Sequence, residues 1–154
     1  MKNEYLIGRY ISTLYRYGQS YSTKRLETLN IGSGYGLMMR LYRQDGQSQE
    51  ELSNFLKIDK GTTAKTLKRL EDEGYLLRKI DEKDRRAYKV FLTPKGYSVI
   101  PEIQSVIMDW ENLITSGFND EEIRKVEAIL RRMAENAANY KIELEEKERE
   151  KSGL

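Results

Sequence analysis

The sequence contains no cysteine and no histidine, and it has only two prolines in 154 residues. Without cysteine there is no disulfide, zinc-thiolate site or thiol nucleophile. Without histidine the commonest general base and the commonest metal ligand are both missing. Because most enzyme mechanisms lose their usual groups, we predict that the protein is not an enzyme and holds neither a metal nor a tightly bound cofactor.

Long apolar stretches are missing as well. No window approaches 18 apolar residues, and the start "MKNEYLIGRYIS" has neither the apolar core nor the small-residue cleavage site of a signal peptide. Hydrophobic residues make up 38% and charged residues 34% of the chain, which is more polar than an average globular domain. These features predict a cytoplasmic protein without a membrane segment, rich in amphipathic helices.

The charges are divided unevenly along the chain. Residues 57–95 hold 12 Lys/Arg against 7 Asp/Glu, whereas the rest of the chain holds 15 against 18. A basic middle within a more acidic scaffold is typical of a protein that binds a polyanion. A solvated surface without a partner explains the same charge imbalance equally well.

Two short helices are predicted at the start of this basic region. Ser48 and Glu51 have the spacing of a capping box, which begins a helix at "QEELSNFL". Asp59 caps the next helix, and Gly74 ends it. The second helix carries hydroxyl and cationic side chains, with no acid between Lys60 and Glu71. Its candidate binding residues are Lys60, Thr62, Thr63, Lys65, Thr66, Lys68 and Arg69.

A β-hairpin follows. Apolar and polar residues alternate in residues 77–80 and 88–92, on either side of the charged run "DEKDRR". Its candidate binding residues are Lys83, Asp84, Arg85 and Arg86. We expect Asp81 and Asp84 to orient the arginines by charge-assisted hydrogen bonds. Thr93 then caps a long helix that has Pro94 at its first position.

Apolar stripes with helical spacing occupy both ends of the chain, from Tyr5 to Tyr21 and from Ile123 to Tyr140. They are more extensive than a monomer of this length can bury. They therefore favour helices that pair with a second copy.

Together these elements predict a mainly α-helical fold with a small β-hairpin wing. Two short helices joined by a tight turn form a helix-turn-helix, whose second helix lies in the major groove of DNA. An arginine-bearing hairpin beside it would reach the adjacent minor groove, where negative potential attracts guanidinium groups. The charged loop thus has a function as a contact to double-stranded DNA.

These residues resemble the multiple antibiotic resistance regulator (MarR) family of winged-helix transcription factors. "LEDEGYLLR" is similar to the end of that family's recognition helix, "DEKDRR" to its Asp-x-Arg-Asp-x-Arg wing signature, and "LTPKG" to its Leu-Thr-x-x-Gly segment. One departure is Lys83, where the signature usually has arginine, so a planar bidentate pair is lost there. The resemblance implies that Arg86 enters the minor groove and that Asp84 braces it.

The resemblance also implies an organisation and a mode of action. It implies a single domain over residues 1–154, with dimerisation helices at approximately 1–29 and 97–151 and a winged helix-turn-helix lobe at approximately 30–96. A homodimer of this kind binds an inverted-repeat operator, with recognition helices about 34 Å apart. Many relatives are repressors released by small phenolic or lipophilic effectors. Candidate effector-pocket residues, chosen by helix adjacency, are Arg9, Tyr10, Met38 and Trp110.

Three other functions are compatible with parts of the sequence. The glycine-rich "GSGYG" (residues 32–36) is the only sign of a phosphate-binding enzyme, and no strand precedes it as such loops require. A winged-helix protein-interaction module without DNA binding is the main alternative, although it has no need of the basic face. An RNA-binding winged helix stays possible, but no stacking aromatics on an exposed sheet indicate it.

Overall fold

A computed structural model describes residues 6–153 of the protein. Residues 1–5, the start of the predicted dimerisation segment at 1–29, lie outside the described residues. By its internal contacts the chain divides into two compact units, Met1–Asn112 and Leu113–Leu154. The single domain over residues 1–154 stays a prediction.

The first unit begins with helices. Helix α1 spans Ile7–Arg25 and is followed by one 3-10 turn, Glu27–Leu29. The next three helices are short: α2 at Tyr35–Arg43, α3 at Gln49–Leu56 and α4 at Lys60–Asp72. Helix α5, Pro94–Ile114, is longer and continues through Pro101.

The unit contains a small antiparallel sheet, two of whose strands lie between α4 and α5 in the chain while the third precedes α3. Its strands are β1 (Gln47–Ser48), β2 (Leu76–Ile80) and β3 (Tyr88–Leu92), arranged in the order β1-β3-β2. The hairpin register pairs Leu76 with Leu92 and Ile80 with Tyr88. The predicted hairpin is therefore confirmed, and β1 is an additional strand that pairs Gln47 with Val90.

The core of this unit lies where the three short helices meet the sheet and α5. Each of these elements contributes buried side chains, and so does the segment between α1 and α2. The largest apolar side chains that are almost completely buried are Leu26, Ile31, Leu37, Met38, Leu41, Leu52, Leu67, Leu70, Ile100 and Ile103. Burial of a leucine or isoleucine of this kind contributes about 1.5–3 kcal/mol relative to exposure. One hydrophobic core therefore joins α2, α3, α4, the sheet and α5.

Local capping signals act where the sequence predicts them. The Ser48 hydroxyl accepts from the Glu51 N–H while the Glu51 carboxylate accepts from the Ser48 N–H, which begins α3. Gly74 has a φ of +81° and ends α4 in the left-handed conformation that glycine tolerates. At the start of α5, the Thr93 hydroxyl accepts from the Gly96 N–H at 3.1 Å.

One carboxylate joins three parts of the unit. Asp45 accepts hydrogen bonds from the N–H groups of Gly46 and Leu92 and from the Tyr97 hydroxyl, the last at 2.7 Å. The bond to Asp45 raises the pKa of Tyr97, because it stabilises the protonated phenol beside a negative charge. The turn after α2, the end of β3 and the start of α5 are therefore fixed together.

The second unit consists mainly of one helix. Helix α6 spans Asp120–Ser152, and Asn119 and Glu122 form a capping box at its start. Its described side chains include exposed apolar groups, among them Val126, Leu130 and Tyr140. None of the helices described in residues 6–153 has both the length and the apolar character needed to cross a bilayer.

Gly96 tests the packing at the sheet. A Cβ added there would lie 2.3 Å from the Tyr75 carbonyl oxygen, a backbone atom that cannot move aside cheaply. We expect Gly96→Ala to lower the free energy of unfolding by about 1–3 kcal/mol, as overpacking does. Gly8→Ala is the control, because nothing lies within 4 Å of its Cβ position. Equal effects in chemical denaturation at one protein concentration would contradict this packing.

Candidate nucleic-acid interface

The candidate interface is built on α3, a tight turn and α4. Lys57 has a φ of +57° and ends α3, and the Asp59 side chain caps α4 by accepting from the Thr62 N–H at 2.7 Å. The Thr62 hydroxyl also donates to the Asp59 carboxylate, and this bond is the main reason why the pKa of Asp59 is lowered. A helix-turn-helix is therefore present at the place where the sequence predicts it.

Most of the predicted α4 residues face solvent. Lys60, Thr62, Lys65, Lys68 and Arg69 are exposed, and Thr66 is half-buried. Thr62, Thr66 and Arg69 are separated by four and three residues, so they share one face of the helix. This face is the surface that a nucleic acid would meet.

The prediction for Thr63 is wrong. Its side chain is completely buried, because Thr63, Leu67 and Leu70 are spaced at four and three residues and together form the inward face of α4. The Thr63 hydroxyl donates to the Asp59 carbonyl and accepts from the Ser53 hydroxyl, both at 2.9 Å. Thr63 therefore locks α4 against α3 and presents nothing to a ligand.

Two of the predicted cations on α4 already have partners within the chain. The Lys68 ammonium lies 2.7 Å from a carboxylate oxygen of Asp72, and this hydrogen bond raises the pKa of Lys68. Arg69 donates from Nε to the Asn30 carbonyl at 3.0 Å and from Nη2 to the Asn30 side-chain oxygen at 2.8 Å. Arg69 thereby connects α4 to the loop that precedes α2.

The wing, residues 81–87 between β2 and β3, is shaped by its aspartates. The Asp81 and Asp84 side chains accept from the backbone N–H groups of Lys83 and Arg86, each at 3.0 Å. The expectation that these acids hold the arginine guanidinium groups is wrong: within the part of the chain that the structure describes, neither forms an ion pair with Arg85 or Arg86. Short Asp side chains prefer to bond the backbone two residues on, which makes the turn.

The resulting wing exposes its cations. Lys83, Asp84, Arg85 and Arg86 are all solvent-exposed. Below them, Arg78 of β2 donates to the Glu71 carboxylate of α4 at 2.6 Å. This partly buried pair connects α4 to β2, the strand that leads into the wing.

A polar cleft beside α4 was not predicted from the sequence. It has a volume of about 210 Å³ and is lined by Ile31, Ser33, Lys65, Thr66 and Arg69. The loop that forms its other wall contains two left-handed residues, Asn30 (φ +53°) and Gly32 (φ +56°). The "NIGSG" stretch was the available signal, because Asn and Gly are the residues that favour this conformation.

The structure does not bring the four candidate effector residues together. Met38 is completely buried in the core, so its choice as a pocket wall is wrong. Trp110 packs against Tyr21, with ring centroids 5.4 Å apart, and against the Gly18 backbone. Arg9 and Tyr10 are exposed on α1. Tyr10 precedes Gly18, which Trp110 contacts, by eight positions, or about 12 Å along a helix.

The fold and the basic surfaces define the protein as a winged helix-turn-helix protein. Residues 34–88 match the model of the MarR family. A MarR transcriptional regulator from Methanosarcina mazei Go1 is 49% identical, with a TM-score of 0.81, over 87% of this chain and 97% of that one. The HTH-type transcriptional regulator YybA of Bacillus subtilis is 31% identical over 83% of this chain and 86% of its own length.

A further similar structure is that of a MarR family transcriptional regulator from Listeria monocytogenes complexed with 26mer DNA. It is 29% identical, with a TM-score of 0.82, over 90% of this chain and 91% of that one. The chain belongs to the MarR family and is a transcriptional regulator of that family. The fold and the family that the sequence predicts are both confirmed.

The structural role of Thr63 can be tested by removing its hydroxyl, which bonds the buried hydroxyl of Ser53. We expect Thr63→Val to lower the free energy of unfolding by about 1–3 kcal/mol, because the buried Ser53 hydroxyl loses its acceptor. Thr66→Val is the matched control: the Thr66 hydroxyl bonds only the Thr62 carbonyl of its own helix. We expect that control to stay within about 0.5 kcal/mol of the wild type. The prediction fails if urea denaturation gives the two variants equal stability.

Proposed function

We propose that the protein is a repressor that binds double-stranded DNA as a homodimer. The exposed face of α4 lies in the major groove, where Thr62 contacts base edges. The wing arginines reach the adjacent minor groove. This assignment is supported by the family and by the related regulator from Listeria monocytogenes, whose structure contains DNA.

The observation that carries the proposal is the separation of acids from cations on the wing. Asp81 and Asp84 bond backbone N–H groups, so the charges of Arg85 and Arg86 are not neutralised by direct pairs with them. Counterions condensed on DNA are released when such cations reach phosphates or a narrow groove, which makes binding favourable and dependent on salt. A pure protein-interaction module does not need this arrangement.

The homodimer is supported by the apolar faces of the terminal helices. On α6, apolar side chains recur at alternating intervals of three and four residues: Ile123, Val126, Leu130, Met133, Ala137, Tyr140 and Leu144. Leu130 is 43% exposed in the single chain and Tyr140 is 62% exposed. This spacing is typical of helices that pair along an apolar seam. On α1, Tyr10, Leu14 and Tyr17 are also exposed.

Two-fold symmetry of the homodimer has a consequence for the DNA site. Both copies would read the same half-site in opposite directions, so we expect an inverted repeat with recognition helices about 34 Å apart. Release by a small phenolic or lipophilic effector also belongs to this proposal. Its support is the half-buried Trp110–Tyr21 pair, which offers an aromatic surface for stacking.

Arg86→Ala tests the wing. We expect weaker binding to duplex DNA and a shallower dependence of log affinity on log salt, by about one per bound protomer, because one cation no longer displaces a counterion. Fluorescence anisotropy at several salt concentrations measures both. Arg16→Ala removes the same charge from α1 and should leave the salt dependence unchanged. An Arg86→Ala variant that binds like the wild type at every salt concentration would remove the wing from the proposal.

Leu130→Lys tests the homodimer. A charge on the apolar seam of α6 should shift the protein towards a monomer, because burying an unpaired ammonium is costly. Sedimentation velocity at micromolar concentration measures the shift. Asn139→Lys is the control, since nine residues are about two and a half helical turns and place it on the opposite face. If Leu130→Lys and the wild type sediment alike, α6 does not form the dimer.

A further inference from the structure

The cleft between α4 and the loop before α2 has the chemistry of an anion site. Its lining combines two cationic side chains, Lys65 and Arg69, with the Ser33 and Thr66 hydroxyls over Ile31, and it includes no acidic residue. Its volume of about 210 Å³ exceeds the roughly 10–15 Å³ that a cavity needs in order to hold one water molecule. A phosphate group with its four oxygens fits this space.

The two cations are placed unfavourably for a surface that stays empty. Lys65 and Arg69 are four residues apart on one helix, a spacing at which like charges repel. Elsewhere on α4 the chain compensates such charges, as Asp72 does for Lys68. Within residues 6–153 no carboxylate lies in ion-pair distance of the Lys65 ammonium. An anion between Lys65 and Arg69 would remove the repulsion.

One wall of the cleft is held in position. The Nε and Nη2 donors of Arg69 are bonded to Asn30, and the Asn30 side-chain amide donates in turn to Glu73. The remaining Arg69 nitrogen, Nη1, lies 2.7 Å from the position that a Cβ on Gly32 would occupy. A side chain at position 32 would require this end of Arg69 to shift, and the φ of +56° also favours glycine there. The guanidinium is therefore oriented before any ligand arrives.

The Ser33 hydroxyl completes the set of donors. It is exposed and forms no hydrogen bond with another residue in the described part of the chain. Thr66, in contrast, donates its hydroxyl to the Thr62 carbonyl and can only accept from a ligand. Ser33 and Lys65 thus offer donors from opposite walls of the cleft.

We propose that this cleft binds a phosphate group, and that Lys65 and Ser33 hold a backbone phosphate of the duplex instead of reading a base. The assignment of this phosphate to the DNA duplex rests on the proposed function. The reason is geometric: a helix in the major groove has a sugar-phosphate strand along its flank, and one wall of the cleft, Ile31 and Ser33, belongs to the loop before α2, which lies beside α4. Phosphate contacts position a protein but carry no sequence information.

Lys65→Ala separates a phosphate contact from a base contact. We expect affinity for the selected duplex and for a scrambled duplex to fall by the same factor, with a salt slope shallower by about one per bound protomer. The sequence selected from a random library should not change. Lys24→Ala, which removes an exposed lysine from α1, is the charge-matched control. A changed selected sequence with an unchanged salt slope would overturn the assignment of Lys65.

A duplex with single methylphosphonate linkages identifies the source of the phosphate. At one such linkage per half-site, loss of the phosphate charge should weaken binding of the duplex by the wild type. It should weaken binding by Lys65→Ala and Ser33→Ala less, because each variant already lacks a side chain that contacts this phosphate. Inorganic phosphate alone forms the second arm, followed by amide shifts of Ser33 and Thr66 against chloride at equal ionic strength. Inorganic phosphate could produce saturable amide shifts while the methylphosphonate duplex weakens the wild type and the variants equally. That result would support a phosphate site whose ligand is the free ion.

The two arms keep this proposal distinct from the proposed function. If the wild type binds the duplex but shows neither coupling nor saturable shifts, the cleft is not a phosphate site and DNA binding stands. If the wild type binds no duplex at any salt concentration, the proposed function fails. The titration with inorganic phosphate then decides by itself whether the cleft binds phosphate. Circular dichroism of each variant confirms that α4 is intact.

Discussion

Burial of one face of α4 is the constraint on which the rest of the protein depends. Leu67 and Leu70 lie in the core, and the Thr63 hydroxyl bonds Ser53 of α3. An α-helix cannot rotate about its axis without exposing such a face, so the outward direction of Thr62 and Lys65 follows from the packing behind them. The core thus sets which side chains a duplex meets.

The polar contacts around α4 place its neighbours. Arg78 of β2 pairs with Glu71, and Arg69 holds the loop at Asn30. Both arginines come from the basic region, yet they act within the protein. A count of positive charge therefore overstates the surface available to nucleic acid, because part of it is already used for structure.

Local features of the fold could be predicted because their causes are local. The capping box at Ser48 and Glu51, the cap at Asp59 and the start of α5 at Thr93 each depend on residues within about one helical turn. The alternation of burial in β3, where Val90 and Leu92 face the core, likewise follows from the two-residue period of a strand, whereas β2 is exposed from Arg78 to Ile80 and shows no such alternation. The family followed from several such motifs in one order.

What the sequence by itself determined is the order of elements, their caps and the basic character of α4 and the wing. Tertiary structure decided which individual side chains are available. Thr63 and Thr62 are neighbours of equal polarity, but Thr63 is buried with Leu67 and Leu70 and bonds Ser53 of α3, whereas Thr62 is exposed. Likewise, only the folded chain brings Ser33 beside Lys65, 32 positions away. Such contacts depend on where distant segments meet in space, and short-range periodicity carries no information about that.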